Sequence, residues 1–276
     1  MSGNRRSRGL AGRIFAAIAS LNLNALGILA RRGFSSAQAY VTYTHRLYAG
    51  YGLPWTWSNL PWRADMTIPR VPAAELFPEI DFTRSPELLH AFPREQGVLP
   101  HELMILCHAI KKFQPALTVE LGTAEGRSTV NFAMYAPEGG EVVTVNLPPE
   151  PGSSVGYFYW DSQFKSKIKQ VYEDISKWNP NGYRASAGVV FCDACDQLPW
   201  MAHEMAQGFA VVKPGGVLFR HDYGTNEGTT KFWNEVGKRL PVRHIEGTTL
   251  LCLKVETPEL HAQMQSVAAD FLKKYG

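Results

Sequence analysis

Four apolar runs of this 276-residue chain carry or end on polar residues able to do chemistry. Ala116-Leu-Thr-Val-Glu-Leu121 contains Glu120, and Glu141-Val-Val-Thr-Val145 stops at Asn146. Gly188-Val-Val-Phe-Cys192 stops at Asp193, and Val217-Leu-Phe-Arg220 stops at His221-Asp222. An imidazole with an intrinsic pKa near about 6.5 suits proton removal around neutrality, so His221 is a candidate general base. Asp193, Asp196 and Asp222 offer oxygen ligands for Mg²⁺, with water completing an octahedron; a bound ion would acidify and orient a hydroxyl. The loop Glu120-Leu-Gly-Thr-Ala-Glu-Gly126-Arg-Ser-Thr129 is built for close backbone approach. Gly122 permits a tight turn beside a ligand, and Gly126 permits close packing of helix on strand. The two glycines are four residues apart and no third follows, so this is not the dinucleotide fingerprint. Cys192 and Cys195 have C-x-x-C spacing but no second pair, which argues against zinc.

The elements that must position these residues are legible from periodicity. Leu103, Leu106, Ile110 and Phe113 step at helical spacing behind Pro100. A strand over 116–121 follows, then a helix over 128–135, a strand over 141–145 and a weaker strand over 168–172. A strand over 188–192, a helix over 198–212, a turn at Lys213-Pro-Gly-Gly216 and a strand over 217–220 come next. A helix over 229–240 leads to a hairpin, 242–246 and 249–255, about Gly247-Thr248. Strands alternating with helices specify an α/β fold: a doubly wound, mostly parallel sheet with a C-terminal antiparallel hairpin. Ligands of such sheets bind outside the carboxyl ends of the strands, which makes Glu120, Asn146, Asp193, His221 and Asp222 neighbours in one crevice. Leu260, Met264, Val267 and Phe271 form a C-terminal helical stripe that packs on the body or on a twin subunit.

Composition bounds the rest. With 45% hydrophobic and 19% charged residues the chain can bury a core, which excludes a disordered tail protein. Four cysteines fit a reducing, cytoplasmic compartment better than a disulfide framework. Residues 1–64 hold eight arginines and no acid, whereas the remaining 212 hold 20 basic and 25 acidic side chains. The acidic body offers no phosphate-tracking surface, so no nucleic-acid partner is expected. Leu10, Ile14, Ile18 and Leu21 recur at helical spacing among arginines, the pattern of a helix docked on its own domain, on a partner copy in a homo-oligomer, or on anionic lipid through residues 5–32. The apolar run 14–30 is too short and too interrupted to span a bilayer. An aromatic stretch from Tyr40 to Trp62 and prolines at 69, 72, 78, 86 and 93 read as an irregular segment wrapped on the body. The divisions expected are a basic, aromatic extension (1–64), a Pro-rich connector (65–98), the α/β domain (99–256) and a C-terminal helix (257–276).

Thr118-Val-Glu-Leu-Gly-Thr-Ala-Glu-Gly-Arg-Ser-Thr129 resembles motif I of class I S-adenosylmethionine-dependent methyltransferases, in the branch called methyltransferase-24. Lys213-Pro-Gly-Gly-Val-Leu, followed by His221-Asp222-Tyr223, is similar to that branch's fifth-strand signature, and Arg243-His-Ile-Glu-Gly-Thr-Thr-Leu250 to its terminal hairpin. The resemblance covers about residues 98–256. It implies the Rossmann-like class I methyltransferase fold, with S-adenosyl-L-methionine as cofactor. Glu120, Gly122, Thr123, Gly126 and Ser128 would border its methionine part, Asn146 its ribose and Asp174 its adenine. Asp193 would sit by the methyl donor or the acceptor, with His221 and Asp222 on the acceptor side as catalytic partners. Two departures stand out. Relatives carry an acid where this chain has Asn146. They also carry a histidine in the segment that here reads Asp193-Ala-Cys-Asp196-Gln-Leu-Pro-Trp200.

The activity that follows is transfer of a methyl group to an oxygen of a small-molecule or glycosidic acceptor. In-line displacement from an activated donor needs mainly alignment, which can supply about 7–11 kcal/mol. The departures keep a second reading open, a catalytically weak or inactive binding and scaffold protein. An NAD-dependent oxidoreductase is disfavoured by the glycine spacing. Tyr157-Phe-Tyr-Trp160 could close over an acceptor or simply pack.

Overall fold

The computed structural model describes residues 65–91 and 97–276. The arginine-rich helix, its membrane or partner contact and the aromatic stretch 40–62 lie outside the described residues. Among those that are described, no helix is long and apolar enough to cross a membrane.

In chain order the elements are β1 (Arg70–Val71), α1 (Ala73–Leu76), α2 (Pro100–Phe113), β2 (Leu117–Leu121), α3 (Arg127–Tyr135), β3 (Glu141–Asn146), β4 (Ile168–Tyr172), β5 (Ala187–Cys192), α4 (Trp200–Val211), β6 (Val212–Arg220), α5 (Glu227–Gly237), β7 (Arg243–Ile245), β8 (Leu251–Lys254) and α6 (Pro258–Tyr275). They form one eight-stranded sheet of order β1-β7-β8-β6-β5-β2-β3-β4. Only β8 runs against the others, pairing antiparallel with β6 on one side and β7 on the other.

Two local features of the sheet go beyond what periodicity shows. The hairpin is not the sheet edge: β8 inserts beside β6, and β1 closes the sheet by pairing parallel with β7. Prolines at 69 and 72 flank this two-residue strand, a position where an edge tolerates them. The expected turn at 213–216 is absorbed into β6 as an irregularity, with Ala187 opposite Val212 but Val189 opposite Val217. Gly216 permits this, because a Cβ there would meet the carbonyl oxygens of Lys213, Gly188 and Ala187 at 2.9–3.1 Å.

Period-two alternation sends each strand's apolar side chains to two cores. Val119, Leu121, Val143, Val145, Val190 and Leu218 face α4, α5 and α6, whose Met205, Phe209, Trp233, Val236, Met264 and Phe271 complete that layer. Val142, Val189, Phe191, Val217 and Phe219 face α2 and α3, covered by Leu103, Leu106, Ile110, Phe132 and Ala133. The C-terminal stripe therefore packs on its own domain, mainly against α4. Residues 65–91 add Ile68, Phe77 and Ile80 to the cores. Covering both faces leaves polar groups one place to converge, the carboxyl ends of β2, β3, β5 and β6.

Candidate active site

The glycine loop meets the turn after β5 backbone to backbone. Gly122 lies at φ +102°, and a Cβ would fall 2.4 Å from the Asp193 carbonyl oxygen and 2.7 Å from the Ala194 nitrogen. Its amide donates to the Val145 carbonyl at 2.8 Å, and the Asp193 amide donates to the Leu121 carbonyl at 2.7 Å. One residue thus fastens three strand ends. Gly126, at φ +79°, has a different partner from the one its spacing suggests: a Cβ there would strike the Tyr159 ring at 2.5 Å, not a strand. Tyr159 belongs to the segment that carries Tyr157 and Trp160. That segment lies on the outside of the glycine loop, with the Gly156 and Phe158 amides donating to the Ala124 and Glu125 carbonyls.

Behind the loop, Glu120 is fully buried and accepts hydrogen bonds from the Ser128, Thr129 and Thr144 hydroxyls. Burial pushes its carboxyl up to about 7 against those three donors, with Asp193 adding to the rise. Asn146 borders the cleft, but its amide serves the protein. Its oxygen accepts from the Thr123 and Ala124 amides at 3.1 and 3.2 Å, and its nitrogen donates to the Leu147 carbonyl at 3.0 Å.

Two hollows flank Gly122. The larger, about 290 Å³, is walled by Val145, Asn146, Leu147, Glu173, Asp174, Ile175, Ala194, Cys195 and Trp200. That is close to the lower end of small-molecule pockets. Its apolar slot and its polar end suit a flat heterocycle joined to a hydroxylated ring. The smaller, about 30 Å³, is lined by Gly97, Val98, Thr123, Glu125, Arg127, Ser128 and Asp193. Arg127 is held there by the Ala91 and Val98 carbonyls, and burial pulls its guanidinium down to about 10.

On the far side of Asp193 the site becomes strongly charged. His221 is 1% exposed and both ring nitrogens are engaged. Nδ1 lies 3.0 Å from Asp193 Oδ1 and 3.4 Å from Asp222 Oδ1, and Nε2 lies 3.1 Å from Glu102 Oε2. Burial opposes a charge on the ring, but Asp222, Asp193 and Glu102 together raise its pKa well above 6.5. Both ring nitrogens of His221 are thus taken up by carboxylates, so in this arrangement neither is open to a substrate hydroxyl, unlike the general base expected. Glu102 is equally committed. Its carboxylate also accepts from the Leu99 amide, the Thr249 amide and the Thr249 hydroxyl. Burial would raise this acid, yet the His221 cation and these bonds hold it down to about 2.

The metal set is also corrected. The ligand atoms that converge, within 4.8 Å of one another, belong to Asp193, His221 and Asp222. Asp196 turns away to Arg220, 2.6 Å from its Nη2. Asp222 adopts the left-handed conformation at φ 67°, a strained geometry for a non-glycine residue, which brings its carboxylate back over His221.

Residues 119–223 match the methyltransferase-24 family model, described as "Methyltransferase domain". That stretch is similar to a methyltransferase domain. No curated protein matches it. Among solved structures, cofactor-bound Rv0187 from MTB is 16% identical with a TM-score of 0.50, covering 62% of this chain and 84% of that one. An O-methyltransferase from Bacillus cereus in complex with SAH is 15% identical with a TM-score of 0.48, covering 57% and 82%. At 16% identity the first likeness bears on the fold alone.

Several residues of the site give little or no sign of themselves in the sequence. Glu102 stands three residues after Leu99, the spacing of an N-terminal helix cap, and that was its one available signal. Arg220 is buried among Asp196, Glu204 and the Cys192 and Cys195 carbonyls. Burial raises both acids, Asp196 to about 6 and Glu204 to about 7, with the guanidinium opposing. Glu204 also accepts from the Ala194 amide at 2.6 Å. The departure at 196 therefore has a physical account: this aspartate ties the turn after β5 to a buried arginine. Glu173, Leu147, Ile175 and Trp200 are further wall residues that spacing did not reveal. Asp174 lines the larger hollow, with its carboxylate held low by the Ser176 amide and hydroxyl. Of the cysteines, all four are free thiols.

Proposed function

We propose that the cleft binds S-adenosyl-L-methionine and that the domain transfers its methyl group to an oxygen of a small-molecule or glycosidic acceptor. The observation that carries this reading is the convergence of Asp193, His221 and Asp222, with the Asp193 backbone packed against Gly122, the one residue that lines both hollows. The sulfonium supplies an already activated methyl group. The protein's share is therefore alignment and charge. The larger hollow takes the nucleoside, with Trp200, Ile175 and Leu147 against the base. The glycine loop and Ser128 take the amino-acid end, with the buried Glu120 behind them holding the Ser128 hydroxyl rather than touching the cofactor. Clustered acids suit a donor that carries positive charge at sulfur and nitrogen.

With His221 locked between carboxylates, proton acceptance from the acceptor hydroxyl moves to Asp193. Its side chain is 21% exposed, against 11% for Asp222 and 1% for His221, and it faces the cleft. The same three residues fit a divalent cation once the His221 ring gives up its Nδ1 proton and becomes a neutral ligand. Glu102 holds Nε2 and directs Nδ1 at the two aspartates, the arrangement by which a carboxylate orients a histidine ligand. An ion there would acidify and orient the acceptor hydroxyl. Two carboxylates suit Mg²⁺, and the imidazole extends the choice to a first-row transition ion such as Mn²⁺.

Asp193→Asn should keep the fold and lower turnover on a hydroxylated acceptor about 10²–10⁴-fold. It should also abolish the heat of Mg²⁺ or Mn²⁺ titration that the wild type gives. Unchanged turnover would remove Asp193 from the chemistry, and no heat from the wild type with either ion would remove the metal. Cofactor binding without turnover on any acceptor would favour the scaffold reading.

A further inference from the structure

We infer that Glu173, not Asn146, receives the ribose hydroxyls of the nucleoside. This rests on the reading of the larger hollow as a nucleoside site. Three polar side chains border the sheet end of that hollow: Asn146, Glu173 and Asp174. Asn146 cannot accept the hydroxyls, because its oxygen already holds two amides of the glycine loop, and of its nitrogen's two donors one goes to the Leu147 carbonyl. Turning it toward a ligand would strip the Thr123 and Ala124 amides of their partner. Asp174 is folded back on its own turn, with Oδ1 accepting from the Ser176 amide at 2.9 Å and the Ser176 hydroxyl at 2.8 Å.

Glu173 is different in both position and occupancy. It follows the last residue of β4, Tyr172, whose partner across the sheet is Asn146. The Glu173 amide donates to the Asn146 carbonyl at 2.8 Å, so the two residues share one rung of the sheet end. Its Oε1 accepts the Asp174 amide at 3.0 Å, which fixes the side chain along the cleft wall. No donor among the described residues reaches Oε2. A half-buried carboxylate lining a cleft, with one oxygen anchored and the other without a donor among the described residues, is suited to accept a hydroxyl pair. The acid that position 146 lacks is thus supplied from the neighbouring strand.

The test is calorimetric binding of S-adenosyl-L-homocysteine to the full chain, with displacement by adenosine and by 2′,3′-dideoxyadenosine. Glu173→Gln should weaken the homocysteine compound about tenfold, because hydrogen bonds to a charged acceptor are worth more than those to a neutral one. The wild type should prefer adenosine over its dideoxy analogue about tenfold or more, and Glu173→Gln should lose most of that preference. Asp174→Asn should keep it. A preference unchanged in Glu173→Gln, with thermal stability retained, would overturn the assignment. Failure of the wild type to bind S-adenosyl-L-homocysteine at all would instead overturn the nucleoside reading of the hollow.

Discussion

Glu102→Ala should cost about 3–5 kcal/mol of folding stability and lower the melting temperature by on the order of 10 °C, the range for breaking a buried ion pair from one side. The removed carboxylate leaves the His221 ring without its Nε2 partner and leaves the Leu99 and Thr249 amides unpaired in a site with no exposure. The pH dependence has a definite sign. Glu102 is depressed from 4.5 to about 2, so its contribution is present above pH 4.5 and is lost as the pH falls through about 2. His221 is raised above 6.5, so its contribution is complete below pH 6.5 and is lost only as the pH rises through that elevated value. The stability gap between wild type and variant should therefore be full near pH 6 and should shrink toward pH 2. Urea denaturation across pH 2–8 reads this directly. A gap that stays constant to pH 2 would mean that Glu102 acts only by filling space.

The second large effect belongs to Gly122. Gly122→Ala places a Cβ within 2.7 Å of three backbone atoms of the turn after β5 and imposes a left-handed φ on an L side chain. Overpacking and the backbone penalty together predict a loss of about 2–5 kcal/mol. Because the displaced turn carries Asp193, binding of S-adenosyl-L-homocysteine should fall with it, by about 10²-fold or more. Gly139→Ala is the control, since φ is also positive there but nothing lies within 4 Å. Equal stability of the two variants would show that backbone strain alone, and not contact with the Asp193 turn, sets the requirement for glycine at 122.

The contrast between legible and hidden features follows from the range of the interactions concerned. Strand ends and the glycine loop were readable because alternation and positive-φ glycines are local, and Gly122, Asn146 and Asp193 do meet at one rim. His221 could be located at that rim from its strand. Its full set of partners could not, because one of the three carboxylates around it, Glu102, stands 119 residues away on α2. Asp196 read as a metal ligand for the same reason: nothing local announces that Arg220 is buried against it. Asn146 read as a weakened ribose contact because a strand-end position implies facing the ligand. Only the fold reveals that two loop amides claim its oxygen, while Glu173 occupies the next rung. The edge strand at 70–71 was hidden by its prolines, which argue against a central strand and permit an outer one.

The account depends most on the nature of the ligand in the cleft beside Gly122. Titration of the full chain with S-adenosyl-L-homocysteine and, separately, with NAD tests it most directly. The predicted result is saturable one-to-one binding of the homocysteine compound, weakened in Gly122→Ala, with no heat from NAD. Tight binding of NAD together with none of the homocysteine compound would contradict it.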